Sequence, residues 1–237
     1  MTTPSGSTGA PDGDKPARRA PLTRQQVLRT ALRLVDDEGL DALTRRRLGQ
    51  ELGRDAMALY RHAPDRAALL DGIVELVLDE LDIPDGGQDW QDQLARTAHD
   101  FRRISLAHPH VVSLIVTRPL STPLGLRPLG TLRPLERLLE VLTGAGFPPP
   151  LALRVYRLYI GFLYGHMLTE LQELVADPEE TNDLLRLGLH RLPVREFPLL
   201  RGLATELATY DGTAELDQGL AVLFTGLASE LQIALDQ

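Results

Sequence analysis

Three consecutive arginines, Arg45-Arg46-Arg47, stand directly after Thr44. The chemistry such a run serves is anion binding, because guanidinium groups stay charged and present forked donors that match phosphate oxygens. Thr44 is of the residue type that caps helix N-termini, so the arginines fall in the first turn of a helix. Cations are unfavourable there in a free helix, since that end is already positive, but the same end favours a bound phosphate. Downstream, Ala56, Met57 and Ala58 are small or apolar and suited to lie against base edges and thymine methyl groups. Arg61, His62 and Arg66 add cations beyond them. As a set these residues suit a nucleic-acid backbone and groove. The alternative is a solvated basic face.

These residues need short helices to position them. Thr23, with Gln26 three residues on, has capping-box spacing and opens a helix with Leu28, Ala31, Leu32 and Val35 on one face. Gly39 closes it. Thr44 caps a second helix over Arg45–Leu52, Gly53-Arg54 makes a turn, and Asp55 caps a third helix to His62, where Pro64 stops it. Two short helices around a glycine-containing turn form a helix-turn-helix, although such pairs also occur in ordinary bundles. Asp65 caps a fourth helix, with its apolar face running from Leu70 to Leu81, and Pro84-Asp85-Gly86-Gly87 breaks it. The remainder predicts helices over Trp90–His108, Val111–Thr117, Leu132–Gly144, Leu151–Leu174, Glu196–Leu207 and Ala214–Leu235. No stretch shows the alternation of a half-buried strand. The expected organisation is a polar tail at 1–21, a DNA-binding unit at 22–66, a connecting helix and linker at 67–87, and a larger helical domain at 88–237.

Charge follows the same division. The 237-residue chain has a formal charge of -8, which argues against a protein basic over its whole surface. From Lys15 to Arg66, however, 12 basic residues face 7 acids and give +5, while residues 67–237 carry -11. Such asymmetry hints at a nucleic-acid module joined to a different body. Cysteine is absent, which removes disulfides, thiolate metal sites and a cysteine nucleophile. The longest uncharged run, Ile104 to Thr117, is 14 residues, short of the roughly 20 a membrane span needs. No apolar signal segment is visible near the N-terminus, so a cytoplasmic protein is expected. Enzyme signatures such as HExxH, Gly-x-Ser-x-Gly and a phosphate-loop glycine pattern are missing, and the reading is not an enzyme. His108-Pro109-His110 could bind a metal, but histidines beside a proline more often mark a helix end. No cofactor and no metal are expected.

The run Leu43-Thr44-Arg45-Arg46-Arg47-Leu48-Gly49-Gln50-Glu51-Leu52-Gly53, then Ala56-Met57-Ala58-Leu59-Tyr60-Arg61-His62, then Asp65-Arg66-Ala67-Ala68-Leu69-Leu70, resembles the DNA-binding domain of the TetR family of transcriptional repressors. Trp90-Gln91-Asp92, Phe101-Arg102, Thr117-Arg118-Pro119, Gly146-Phe147, Gly165 and the ending Gly219-Leu220, Gly226-Leu227 resemble the tetracycline-repressor class in the C-terminal domain, so the likeness covers about 22–235. It implies an all-α fold with an N-terminal three-helix helix-turn-helix domain and a larger C-terminal domain for ligand binding and dimerisation. It implies base-reading roles for Arg46, Ala56, Met57 and Ala58, and phosphate contacts for Arg45, Tyr60, His62 and Arg66, with Thr44 dividing between a phosphate contact and its capping role. Arg54 departs from the pattern, standing where the family usually has an apolar turn residue. A homodimer on a palindromic operator, released by a small-molecule inducer, is the function implied. An activator on the same fold is the alternative.

The resemblance also implies where ligand and partner subunit sit. Thr97, Phe101, Thr117, Arg118, Leu135, Leu138, Tyr156 and Ile160 fall at pocket positions, each equally suited to the core. The positions that hold a tetracycline–magnesium chelate carry Asp82, Thr97 and an apolar residue near Leu114-Ile115, so that chelate is not the expected inducer. A largely apolar or aromatic molecule with a polar or anionic group near Arg118 is. The family dimerises through its last long helices, here Leu151–Leu174 with Gly161 and Gly165, and Ala214–Leu235 with Gly219 and Gly226. Glycine inside a helix costs about 1 kcal/mol relative to alanine, and close helix packing is the simplest offset. Leu216, Leu220, Leu223 and Leu227 make a bundle stripe, assigned to the dimer interface with packing inside one subunit as the alternative.

Overall fold

A computed structural model describes residues 22–55, 61, 63–84, 89–117, 127–174, 191–207 and 209–235. Described residues form ten α-helices and one 3-10 turn, and no strand occurs among them. α1 (Arg24–Glu38) starts on the expected capping box: Gln26 N–H donates to Thr23 Oγ1 at 3.2 Å and Thr23 N–H to Gln26 Oε1 at 3.0 Å. It ends at Gly39, whose φ of 81° suits glycine and whose N–H donates to the Val35 carbonyl. A 3-10 turn, Leu40–Ala42, leads to α2 (Arg45–Leu52), which closes on Gly53 in the left-handed conformation. The expected helix over 55–62 lies almost wholly outside the described residues.

α3 (Arg66–Leu78) is capped by Asp65, whose carboxylate accepts from Ala68 N–H at 2.7 Å. It was expected to connect two units, yet Leu69, Leu70, Ile73, Val74 and Val77 are buried in one cluster with Val27, Leu28, Ala31 and Val35 of α1 and Leu48 of α2. Ile104 and Val111 from the following helices belong to the same cluster, so the head's core continues into the body. α3 ends at Leu78, short of the expected Leu81.

The body begins with α4 (Trp90–Ala107) and α5 (Pro109–Thr117), which meet at His108. α5 starts at Pro109 rather than Val111, since proline fits the first helical position, where no N–H is required. α6 (Leu129–Gly144) starts three residues before the expected Leu132 and contains Pro134, which forfeits the hydrogen bond to the Gly130 carbonyl. α7 (Pro149–Leu174) is the longest helix. The helix expected over 196–207 is two short pieces, α8 (Pro198–Gly202) and α9 (Ala204–Leu207), followed by α10 (Gly212–Leu235). Trp90 anchors the body's core edge-on between Phe147 and Phe224, with ring centroids 5.2 and 5.6 Å away. Tyr159 is buried there and donates its hydroxyl to the Leu94 carbonyl at 2.7 Å. Arg102 and the buried Glu170 join α4 to α7, with Arg102 Nε 2.9 Å from Glu170 Oε2. No helix among the described residues is long and apolar enough to cross a membrane.

Candidate nucleic-acid interface and effector region

The three arginines of α2 have different surroundings. Arg47 is tied: its Nη1 meets Glu51 Oε2 one turn on at 2.8 Å, and its Nε meets Glu38 Oε2 at the end of α1 at 3.3 Å. The hydrogen bonds it donates to Glu38 first and Glu51 second push its pKa above the usual guanidinium value. Arg45 donates from Nη2 to the Pro64 carbonyl at 2.6 Å. Arg66 likewise donates to the Leu40 carbonyl at 3.0 Å. The Arg46 side chain is exposed and forms no hydrogen bond or ion pair among the described residues. Arg61 is exposed as well. Thr44 Oγ1 accepts from Arg47 N–H at 3.1 Å, which is the capping role. Leu48 is buried and sets α2 on the head's core, so the exposed side of α2 is the one carrying Arg46. Ala56, Met57, Ala58, Tyr60 and His62 lie outside the described residues. Arg54, the departure in the turn, is half-buried, and its N–H donates to the Gly49 carbonyl.

In the body, Phe101, Leu138, Tyr156 and Ile160 belong to one apolar cluster. Phe101 and Leu138 are buried, while Tyr156, Ile160 and Leu135 are half-buried and retain surface. Thr97 is 1% exposed and donates its hydroxyl to the Gln93 carbonyl of its own helix at 2.8 Å. In this structure its hydroxyl hydrogen is thus used within α4. Thr117 ends α5, and Arg118 lies outside the described residues. Two residues were missed. Tyr164 packs its ring 5.9 Å from Phe101, and Arg127 stands near enough to Tyr156 and Tyr164 to pull both phenols down. Burial outweighs that pull and raises Tyr164 to about 12. The spacing of Tyr156, Ile160 and Tyr164 along α7 was a legible signal for Tyr164. Nothing in sequence pointed to Arg127, which arrives from before α6.

The expected dimer stripe divides. Leu216, Leu220 and Leu227 are 0%, 3% and 4% exposed in the single subunit, packed with Trp90 and Phe224. Within the single subunit these side chains already pack into the core, which is the alternative the sequence left open beside the dimer interface. Gly219 serves that same core, since a Cβ there would run into the Phe162 ring. Leu223 is half-buried against it. Gly161, Gly165 and Gly226 differ: a Cβ at any of them would have nothing within 4 Å. Beside them Leu158 and Val222 are 56% and 76% exposed.

His108 is engaged between segments. Its Nδ1 lies 2.9 Å from Asp36 Oδ2 of α1 and its Nε2 3.8 Å from Glu80 Oε2 beyond α3. No group of three or more histidine or carboxylate side chains among the described residues is placed to hold a metal.

Residues 83–231 match the family model described as "Tetracyclin repressor-like, C-terminal domain". Tetracycline repressor protein class C of Escherichia coli is 32% identical over 87% of this chain and 90% of its own. An HTH-type transcriptional regulator of Saccharopolyspora erythraea is 28% identical over 95% of both chains. The solved structure of the TetR family protein ActR of Streptomyces coelicolor, in complex with actinorhodin, superposes with a TM-score of 0.74 at 31% identity, covering 89% of this chain and 97% of that one. With an α-helical head carrying an arginine-led helix and a larger helical body that the family model matches over most of its length, this chain belongs to the TetR family of transcriptional regulators.

Proposed function

We propose that this regulator is a ligand-responsive repressor that binds a palindromic operator as a homodimer and is released by a small, largely apolar or aromatic molecule. The observation that carries the DNA-binding part is the partition of the arginines. Arg47 is held by two carboxylates and Arg45 leans on a backbone carbonyl, while Arg46 stands exposed at the start of α2. Thr44, Arg45, Arg61 and Arg66 supply backbone contacts around it, and Ala56, Met57, Ala58, Tyr60 and His62 complete the reading surface. Half-sites would be about 34–36 Å apart or further.

For the effector, support comes from the half-buried aromatic surface of Tyr156 and Tyr164 beside Phe101, with Arg127 close by. Thr117, Arg118, Leu135, Leu138 and Ile160 would complete the pocket wall. ActR has been solved with actinorhodin and with (S)-DNPA, and the superposition at 31% identity supports an organic effector here too. For the dimer, the exposed stripe Leu158, Gly161 and Gly165 of α7 and Val222 and Gly226 of α10 are the surfaces proposed to meet their counterparts.

Gel retardation with the DNA upstream of the chain's own gene tests the reading. Wild type should retard it, with affinity falling steeply as salt rises, because released counterions drive the binding. Arg46→Ala should cost about 1–3 kcal/mol of binding and relax base preference at one position of each half-site. Unchanged affinity and preference would remove Arg46 from the reading surface. Reporter expression with and without the regulator reads the sign of regulation.

A further inference from the structure

The first turn of α6 has no cap of its own. Its N-cap residue is Pro128, which offers no side-chain acceptor. The first N–H groups of a helix need partners, and a carboxylate suits them because that end is positive. The partner comes from the DNA-binding head: Glu75 of α3 accepts from Gly130 N–H through Oε1 at 3.2 Å. The other oxygen of the same carboxylate, Oε2, meets Arg24 Nη2, also at 3.2 Å. Arg24 is the first residue of α1. Gly130 is buried, and a Cβ there would run into the Glu75 side chain, so the absence of a side chain at 130 is what lets the carboxylate in. One turn further along each helix, Arg133 and Asp79 repeat the α6–α3 connection at 3.4 Å.

We propose that Glu75 is a positioning residue that couples the start of α6 to the DNA-binding head by capping one helix of the body while holding the first residue of α1. This rests on the DNA-binding reading above. The structure shows the cap made, and a bond that both sides share can be biased from either side. Whatever reorders the chain entering α6 changes the hold on Glu75, and through Arg24 the seat of α1. Linkage requires the reverse: DNA bound to the head must change the protection of the α6 first turn.

Hydrogen exchange of the full chain, with and without its upstream DNA duplex, tests this. In wild type, amide exchange at Gly130 to Arg133 (Pro134 has no amide) should slow when DNA binds. Glu75→Ala should abolish that response and weaken binding about 5- to 10-fold, the range of a modest coupling. Glu75→Gln keeps one acceptor for Gly130 N–H but sets an amide donor against Arg24, so the cap and the melting temperature should persist while the DNA response falls as in Glu75→Ala, which separates coupling from a folding defect. A DNA-dependent slowing that persists in Glu75→Ala would overturn the coupling, as would a lowered melting temperature with unchanged affinity. Failure of wild type to bind the duplex would instead overturn the DNA-binding reading itself.

Discussion

Arg46 and Arg47 are neighbours with the same chemistry and different surroundings. Rotation of about 100° per residue turns Arg47 towards Glu38 at the end of α1 and leaves Arg46 facing solvent. Arg47→Ala should therefore lower the melting temperature, by loosening α1 from α2, while the salt dependence of operator binding stays as in wild type. Arg46→Ala should do the reverse, and thermal melts beside salt-titrated gel shifts separate the two. Asp100 offers a second prediction. Burial raises its pKa, but hydrogen bonds from Arg103 Nε at 2.7 Å and from Asp82 N–H at 2.8 Å outweigh that, so the carboxyl lies below its ordinary 3.8. A group lowered in the folded state adds stability above its unfolded pKa and loses it as pH falls. The difference in melting temperature between wild type and Asp100→Asn should hold from neutral pH to about pH 5 and shrink below pH 4.

The last helices show how one sequence signal can serve two surfaces. The Leu216, Leu220, Leu223, Leu227 stripe is an amphipathic face, and its spacing states only that something apolar covers it. In the folded subunit that cover is α4 and α7, with Gly219 letting Phe162 close against α10. Gly219→Ala should cost about 1–3 kcal/mol of stability by overpacking against that ring, measured by denaturant unfolding. Gly226→Ala has open space in the subunit, so its effect should appear in the dimer dissociation constant instead. α8 and α9 carry a different signal. Leu199, Leu200, Leu203 and Leu207 are apolar, yet all are exposed in the single subunit. Periodicity reported their helical character and their apolar side, but did not show the break at Leu203.

At the scale of the whole molecule, head and body are less separate than charge suggested. Ile104 and Val111 of the body complete the head's core, and His108, Asp36, Glu75 and Gly130 join the two by polar contacts. Motion of the body thus has short routes to α1. The proposed dimer also belongs to this scale. Glutamate at both Leu158 and Val222 should give a 26.1 kDa species in sedimentation, with helical content retained. On the proposed reading, in which a dimer reads two half-sites together, operator affinity should fall by orders of magnitude, whereas a dimer that survives both changes would move the interface elsewhere.

Local chemistry was legible in the sequence by itself. The capping box at Thr23 and Gln26, the caps at Thr44 and Asp65, the glycine stops at Gly39 and Gly53 and the helical periodicity all depend on residues a few positions apart, and each appears in the fold. The charge split and the arginine run pointed to a nucleic-acid head for the same reason. What only the tertiary structure decided depends on residues far apart in the chain. Arg47 became an internal tie because Glu38 folds back to within reach, and Thr97 turned inward because α4 is covered. Arg127 stands beside Tyr156 and Tyr164 only once α7 lies against the chain leading into α6. Glu75 reaches Gly130 across 55 positions. A pattern in sequence shows that a face will be covered, and three-dimensional packing selects what covers it.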